Sequence, residues 1–197
     1  MPTLHRILRV AVAGLTLAAV VAQLYDSIHR GRSVVNFFSF FTIQSNLLAV
    51  VMLVAAAFTA RLASLRGAVT LYLATTGIVY ALLLAGREEA LQTSLPWVNA
   101  VLHYVTPVAV VADWVVAPAY LSGSYPRIVG TWLIYPLVYC AGSMVRGAIT
   151  GWFPYPFLHP ANGLAGVVTT ILAIALSDAL LGALIVWYSR LRSAGHV

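Results

Sequence analysis

Two short segments hold side chains that can do chemistry together. In residues 40–47 the run Phe40-Phe41-Thr42-Ile43-Gln44-Ser45-Asn46-Leu47 sets Thr42, Ser45 and Asn46 at i, i+3 and i+4, on one face of a helix. In residues 97–107, Asn99, His103 and Thr106 share a face in the same way, and His103 is the only histidine well inside an apolar stretch. A hydroxyl beside an imidazole is a nucleophile beside its base, provided the two approach to about 2.6–3.2 Å. The ordinary alternative for such polar stripes is hydrogen bonding between helices, worth roughly 0.6–2 kcal/mol per contact. One mid-span histidine excludes a haem held by two histidines. Neither HExxH nor a paired Cys/His spacing is present to support zinc. Lysine is absent altogether, which excludes Schiff-base chemistry and P-loop phosphate binding. No metal and no cofactor is expected.

The elements that must position these residues follow from composition. Of 197 residues, 61% are hydrophobic and only 8% charged, against about 25% in soluble domains, so the charge is too sparse to coat a water-facing surface. Charges, Gly and Pro interrupt the apolar sequence into six stretches near 8–28, 36–60, 67–86, 97–117, 128–146 and 162–188, each close to the 20 or so residues a bilayer span requires. The reading is all-α, a single domain over 1–197: an integral membrane bundle of six transmembrane helices with short connections, and therefore antiparallel neighbours. His5, Arg6 and Arg9 before the first apolar run resemble a secretory leader, but that run continues to Asp26 and reads as a retained span. Arg6, Arg9, Arg61, Arg66, Arg127, Arg190 and Arg192 fall on one side of this topology and Arg30, Arg32, Arg87 and Arg146 on the other. The positive-inside rule then makes both termini cytoplasmic, in the cell (inner) membrane. The arginines are scattered rather than clustered, so the net charge of +6 does not suggest nucleic acid. The single Cys140 permits no intrachain disulfide. Oligomeric state is not legible.

In this topology Thr42, six residues after Asn36, and His103, six after Trp97, each lie about 9 Å below the same outer face. The outer loop Trp152-Phe153-Pro154-Tyr155-Pro156-Phe157-Leu158-His159 is a rigid aromatic cap, either a headgroup belt or a wall over a lipid-accessible pocket. Tyr72, Thr76 and Tyr80, and Tyr135, Tyr139 and Ser143, recur every fourth residue and face inward. Asp113 and Asp178 each lie about 24 Å down their spans and could face one another near the cytoplasmic side.

Phe41-Thr42-Ile43-Gln44-Ser45-Asn46, Asn99-x-x-x-His103 with Thr106-Pro107, and Trp152-Phe153-Pro154-Tyr155-Pro156-Phe157-Leu158, in that order, resemble the androgen-induced protein and ADTRP family in its bacterial six-span branch. The resemblance covers nearly the whole chain. It implies an integral membrane lipid-ester hydrolase with Thr42 as nucleophile and His103 as base, acting on fatty acid esters of hydroxy fatty acids. The animal histidine segment has a second His where Ala100 stands here, and the sequence after the animal threonine also differs. Helical facing makes Asn46, Asn99 and Ser45 candidate donors to a tetrahedral oxyanion. Arg146 and His159, at the outer rim, are candidate partners for a substrate carboxylate or headgroup. The expected partners are a membrane lipid or fatty-acid ester and the bilayer itself. The alternative is a non-catalytic lipid-binding or transport protein whose path is lined by the same stripes.

Overall fold

The computed structural model describes residues 3–194 and is helical throughout, without a strand among those residues. Residues 1, 2 and 195–197 of the expected 1–197 domain lie outside the described residues. Helix α1 (Thr3–His29) is followed by a short α2 (Val34–Phe38), then α3 (Phe41–Phe58) and α4 (Ala63–Val79), which runs into a π-helical turn, Tyr80–Leu84. A second broken helix comprises α5 (Pro96–Ala100), a π-helical turn (Val101–Val105) and α6 (Thr106–Val116). Helices α7 (Tyr125–Thr150) and α8 (Gly163–Ala194) flank a loop with two 3₁₀ turns, Pro156–Leu158 and Pro160–Asn162. Among the described residues six segments are long and apolar enough to cross a membrane: Thr3–His29, Phe41–Phe58, Ala63–Leu84, Pro96–Val116, Tyr125–Thr150 and Pro160–Ser193.

The four inner helices pack through small residues. Ala13, Thr16, Ala19 and Val20 of α1 lie buried with Ala49, Met52, Leu53 and Ala56 of α3, a pattern that lets apolar helices approach closely. Helices α7 and α8 are much less buried and carry rows of exposed Ile, Leu and Val, the surface expected to face lipid.

Carbonyls freed by helix irregularities find side-chain donors, because a span must satisfy every N–H and C=O internally. Pro136 in α7 has no N–H to give to the carbonyl of Trp132, and the Tyr72 hydroxyl donates to that carbonyl instead at 2.8 Å. In the second broken helix the Thr106 amide reaches back to Val101 O, and residue 107 is proline. The carbonyl of Leu102 is thereby left without a helical donor; Asn46 Nδ2 supplies one at 3.1 Å. The same shift turns Thr106 away from the Asn99–His103 face, and its hydroxyl bonds to Thr16 of α1 at 2.8 Å.

The expected second span beginning at 36 is broken. Phe40 is extended (φ −78°, ψ 130°), so α2 ends and α3 begins at Phe41. Side chains hold the freed carbonyls: Gln44 Nε2 donates to Phe38 O at 2.8 Å and Tyr139 OH to Ser39 O at 2.9 Å. Thr42 is thus the second residue of a helix, not one six residues into it.

The two deep aspartates do not face one another. Asp113 accepts from His5 and Arg9 of α1 at 2.6 Å and from Arg66 of α4 at 2.9 Å, while Arg9 also reaches Ala56 O and Arg66 reaches Ala117 O. Asp178 accepts from Thr75 of α4 at 2.5 Å. Equal depth on two helices says nothing about azimuth, and α4 lies against both α6 and α8. Arg9 and Arg66 are accordingly members of an internal ion cluster as well as positive charges near one end of the bundle.

Candidate active site

Thr42 and His103 meet. Thr42 Oγ1 lies 3.3 Å from His103 Nε2, and both side chains are buried. His103 Nδ1 is 3.2 Å from the carbonyl of Asn99, an acceptor only, so the Nδ1–H donates there and Nε2 keeps its lone pair toward the threonine hydroxyl. The imidazole is held by a second contact: its ring stacks on Tyr80, centroids 4.0 Å apart and planes 21° from parallel. Tyr80 lies at the start of one π-helical turn and His103 within the other, so the two irregular turns carry the two halves of the stack. The Tyr80 hydroxyl accepts from Asn99 Nδ2 at 2.5 Å and donates to Glu88 at 3.0 Å. The Glu88 carboxyl sits below the usual carboxylate range because its own amide, that of Gly86 and the Tyr80 hydroxyl all donate to it.

The helix break explains the threonine's surroundings. The first amides of any helix lack intrahelical acceptors and concentrate positive charge. Two of those in α3 point at tyrosine hydroxyls. The Phe41 amide donates to Tyr139 OH and the Thr42 amide to Tyr155 OH, both at 3.2 Å. Tyr155 OH also lies 3.4 Å from Thr42 Oγ1. Burial raises the Tyr155 hydroxyl's pKa, so the group stays protonated and able to donate. The ring is fixed by stacking on Phe157 and by an edge contact with Phe40.

Two cavities converge on Thr42 and Tyr155. The larger, about 130 Å³, is lined mainly by apolar side chains from α4, α7, α8 and the loop, including Val79, Leu137, Phe157 and Ile174; Thr75, Thr76 and Asp178 interrupt them. The smaller, about 20 Å³, is bounded by Gln23, Ser27, Gln92, Thr93 and His103. The loop that closes it is clamped to α1 and the turn after it: Gln23 and Arg32 both donate to the carbonyl of Gln92, and Ser94 donates to Asp26 at 2.7 Å. Among the described residues no group of three His, Cys, Asp or Glu side chains could hold a metal ion.

The other sequence-predicted residues are placed as follows. Asn46 surrounds the site, but its Nδ2 donates to the carbonyls of Thr42 and Leu102, which uses both of its protons. Asn99 donates to Tyr80, and Ser45 Oγ lies 3.2 Å from Thr42 O and 3.1 Å from Thr76 Oγ1. Arg146 donates to Asn36 and Ser39 and lies over the Trp152 ring, and His159 accepts from the Ala161 amide, so both shape the rim of the bundle and neither lines either of these two cavities. Tyr155, Tyr139 and Tyr80 escaped the sequence reading as site residues. The signal for the first two was the helix start at Phe41, whose unpaired amides demand acceptors. No family model, curated protein or solved structure matches the chain. What it does must be read from its own residues.

Proposed function

We propose that the protein is an integral membrane lipid-ester hydrolase with Thr42 as nucleophile and His103 as general base. The observation that carries this reading is the 3.3 Å approach of Thr42 Oγ1 to an imidazole nitrogen whose partner nitrogen is already committed to a backbone carbonyl. His103 Nε2 removes the Thr42 proton as Oγ1 attacks the ester carbonyl carbon. The tetrahedral oxyanion is stabilised by the Tyr155 hydroxyl and by the positive N-terminus of α3. Collapse expels the alcohol, which takes the proton from His103, and leaves an acyl-threonine. A water activated by His103 then hydrolyses the acyl group and regenerates Thr42.

The cavities suit the two halves of this cycle. The large apolar one suits an acyl chain. The small one, near the size of one water and bordered by Gln23, Ser27 and His103, suits the hydrolytic water. The transport alternative needs a polar route through the bundle, whereas buried ion pairs of Asp113 with Arg9 and Arg66 bind the helices together at the far end. The resemblance makes fatty acid esters of hydroxy fatty acids the first substrates to try. The arginine distribution supports cytoplasmic termini in the cell membrane, with the Thr42 end outward.

The test is acid release from a panel of lipid esters by purified protein. Wild type is expected to cleave at least one member, and Thr42→Ala and His103→Ala to lose about 100-fold or more in kcat. Equal rates in all three proteins overturn the mechanism.

A further inference from the structure

The larger cavity has a polar spot that the ester chemistry does not use. Asp178, on α8, is 3% exposed and lines this cavity among Ile171, Ile174, Ala175 and Leu137. Its one partner among the described residues is the Thr75 hydroxyl, which donates to Oδ1 at 2.5 Å. The contrast with the other aspartates is informative. Asp26 pairs with Arg30 and Arg32, and Asp113 with Arg9 and Arg66, whereas among the described residues no ion pair of Asp178 is seen. A carboxyl in an apolar cavity is costly unless hydrogen-bonded. Oδ1 is served by the protein, no donor among the described residues is seen at Oδ2, and the residue itself is part of the cavity lining.

The position of this spot relative to Thr42 follows from α3 and α4. Ser45, three residues after Thr42, meets Thr76, the neighbour of Thr75, so the Asp178–Thr75 pair is displaced from Thr42 by only about 5 Å along the helix axes. An acyl chain running from Thr42 into the cavity passes this carboxyl within its length. A plain alkyl chain would offer this carboxylate no donor.

We propose that Asp178 and Thr75 form a subsite for an unesterified hydroxyl carried on the acyl chain itself, with the hydroxyl donating to the Asp178 carboxylate. This deepens the hydrolase reading, on which the acyl orientation rests, by naming the feature of the acyl half that is selected. It differs from selection of the alcohol half, which lies beyond the ester oxygen. A site built to receive a hydroxyl discriminates against a chain that lacks one, because its polar group is otherwise left unpaired.

The experiment measures binding of free acids, which contain no ester bond and so report the subsite without turnover. Stearic acid is compared with monohydroxystearic acids differing in hydroxyl position, titrated against the purified full chain in detergent. About tenfold tighter binding is expected for one hydroxyl position, the worth of one hydrogen bond to a carboxylate. Asp178→Leu is expected to abolish the preference while keeping stearate binding; Thr75→Val, which leaves the carboxyl in place but reorients it, is expected to weaken the preference, and it serves if the leucine variant does not fold. Equal affinities for stearate and every hydroxystearate in wild type, or a preference unchanged in both variants, overturn the subsite. A preference that follows Asp178, in a protein that cleaves no ester, upholds the subsite and overturns the hydrolase reading.

Discussion

Thr42 acquires a nucleophile's surroundings only from its neighbours: a base 3.3 Å away, a tyrosine hydroxyl at 3.4 Å and a helix start beneath it. Tyr155 is the sharpest residue-scale test, since its ring is held by Phe40 and Phe157 independently of its hydroxyl. Tyr155→Phe should keep the fold and KM while lowering kcat about 100-fold, the usual cost of one oxyanion donor; steady-state kinetics on the best ester checks this. Glu88 supplies a pH signature. Folding lowers its pKa, so its stabilising contribution is complete above the unfolded value near 4.5 and is lost as pH falls through the lower folded one. Melting temperatures of wild type and Glu88→Gln should differ near neutral pH and converge in acid. That Thr42 and His103 lie toward one end of the bundle is legible in the sequence, whereas their contact depends on the break at Phe40 and on helix azimuth, which spacing does not encode. The donors around them are not, because Asn46 and Asn99 face the site yet spend their amide protons on Thr42 O, Leu102 O and Tyr80.

Broken and irregular elements do the positioning. The six long apolar runs can be counted in the sequence, but the break at Phe40 and the two π-helical turns have no hydrophobic pattern to announce them. The local signals are few: Pro107 just after the second π-helical turn, and polar side chains such as Gln44 and Asn46 spaced to take the freed carbonyls. Tyr72→Phe strips the hydroxyl from Trp132 O and should destabilise the bundle by about 1–3 kcal/mol. In a Pro136→Ala background, where residue 136 regains its amide, that loss should shrink toward zero; a double-mutant cycle of detergent melts reads the difference. The loop bearing Tyr155 is seated by a close approach. A Cβ on Gly147 would stand 2.2 Å from the Phe153 ring, far inside contact distance. Gly147→Ala should therefore displace the loop and lower activity more than stability, as compared by kinetics and melting of the same preparation.

Across the whole molecule, polar chemistry is segregated by helix end. The end that begins α1 is tied by Asp113 to His5, Arg9 and Arg66, joining α1, α4 and α6, while Arg9 reaches α3 through Ala56 O. Removing one member of a buried ion cluster strands the others, so Asp113→Ala should cost about 3–5 kcal/mol, measured as a drop in melting temperature with no specific change in KM. The opposite end holds Thr42, His103 and Tyr155, and both cavities reach Thr42 and Tyr155 there. Charge sparseness and span number are set by composition and so are readable early. Which arginines find acids inside the bundle depends on helix azimuth, which composition does not encode.

The central claim is that Thr42 carries the acyl group. Mass spectrometry of peptides from wild-type protein, acid-quenched early in reaction with its best lipid ester, tests this directly. The expected result is the substrate's acyl mass on the peptide containing Thr42, absent from Thr42→Ala, which should also fail to turn over. An acyl group on another residue, or undiminished turnover by Thr42→Ala, would contradict it.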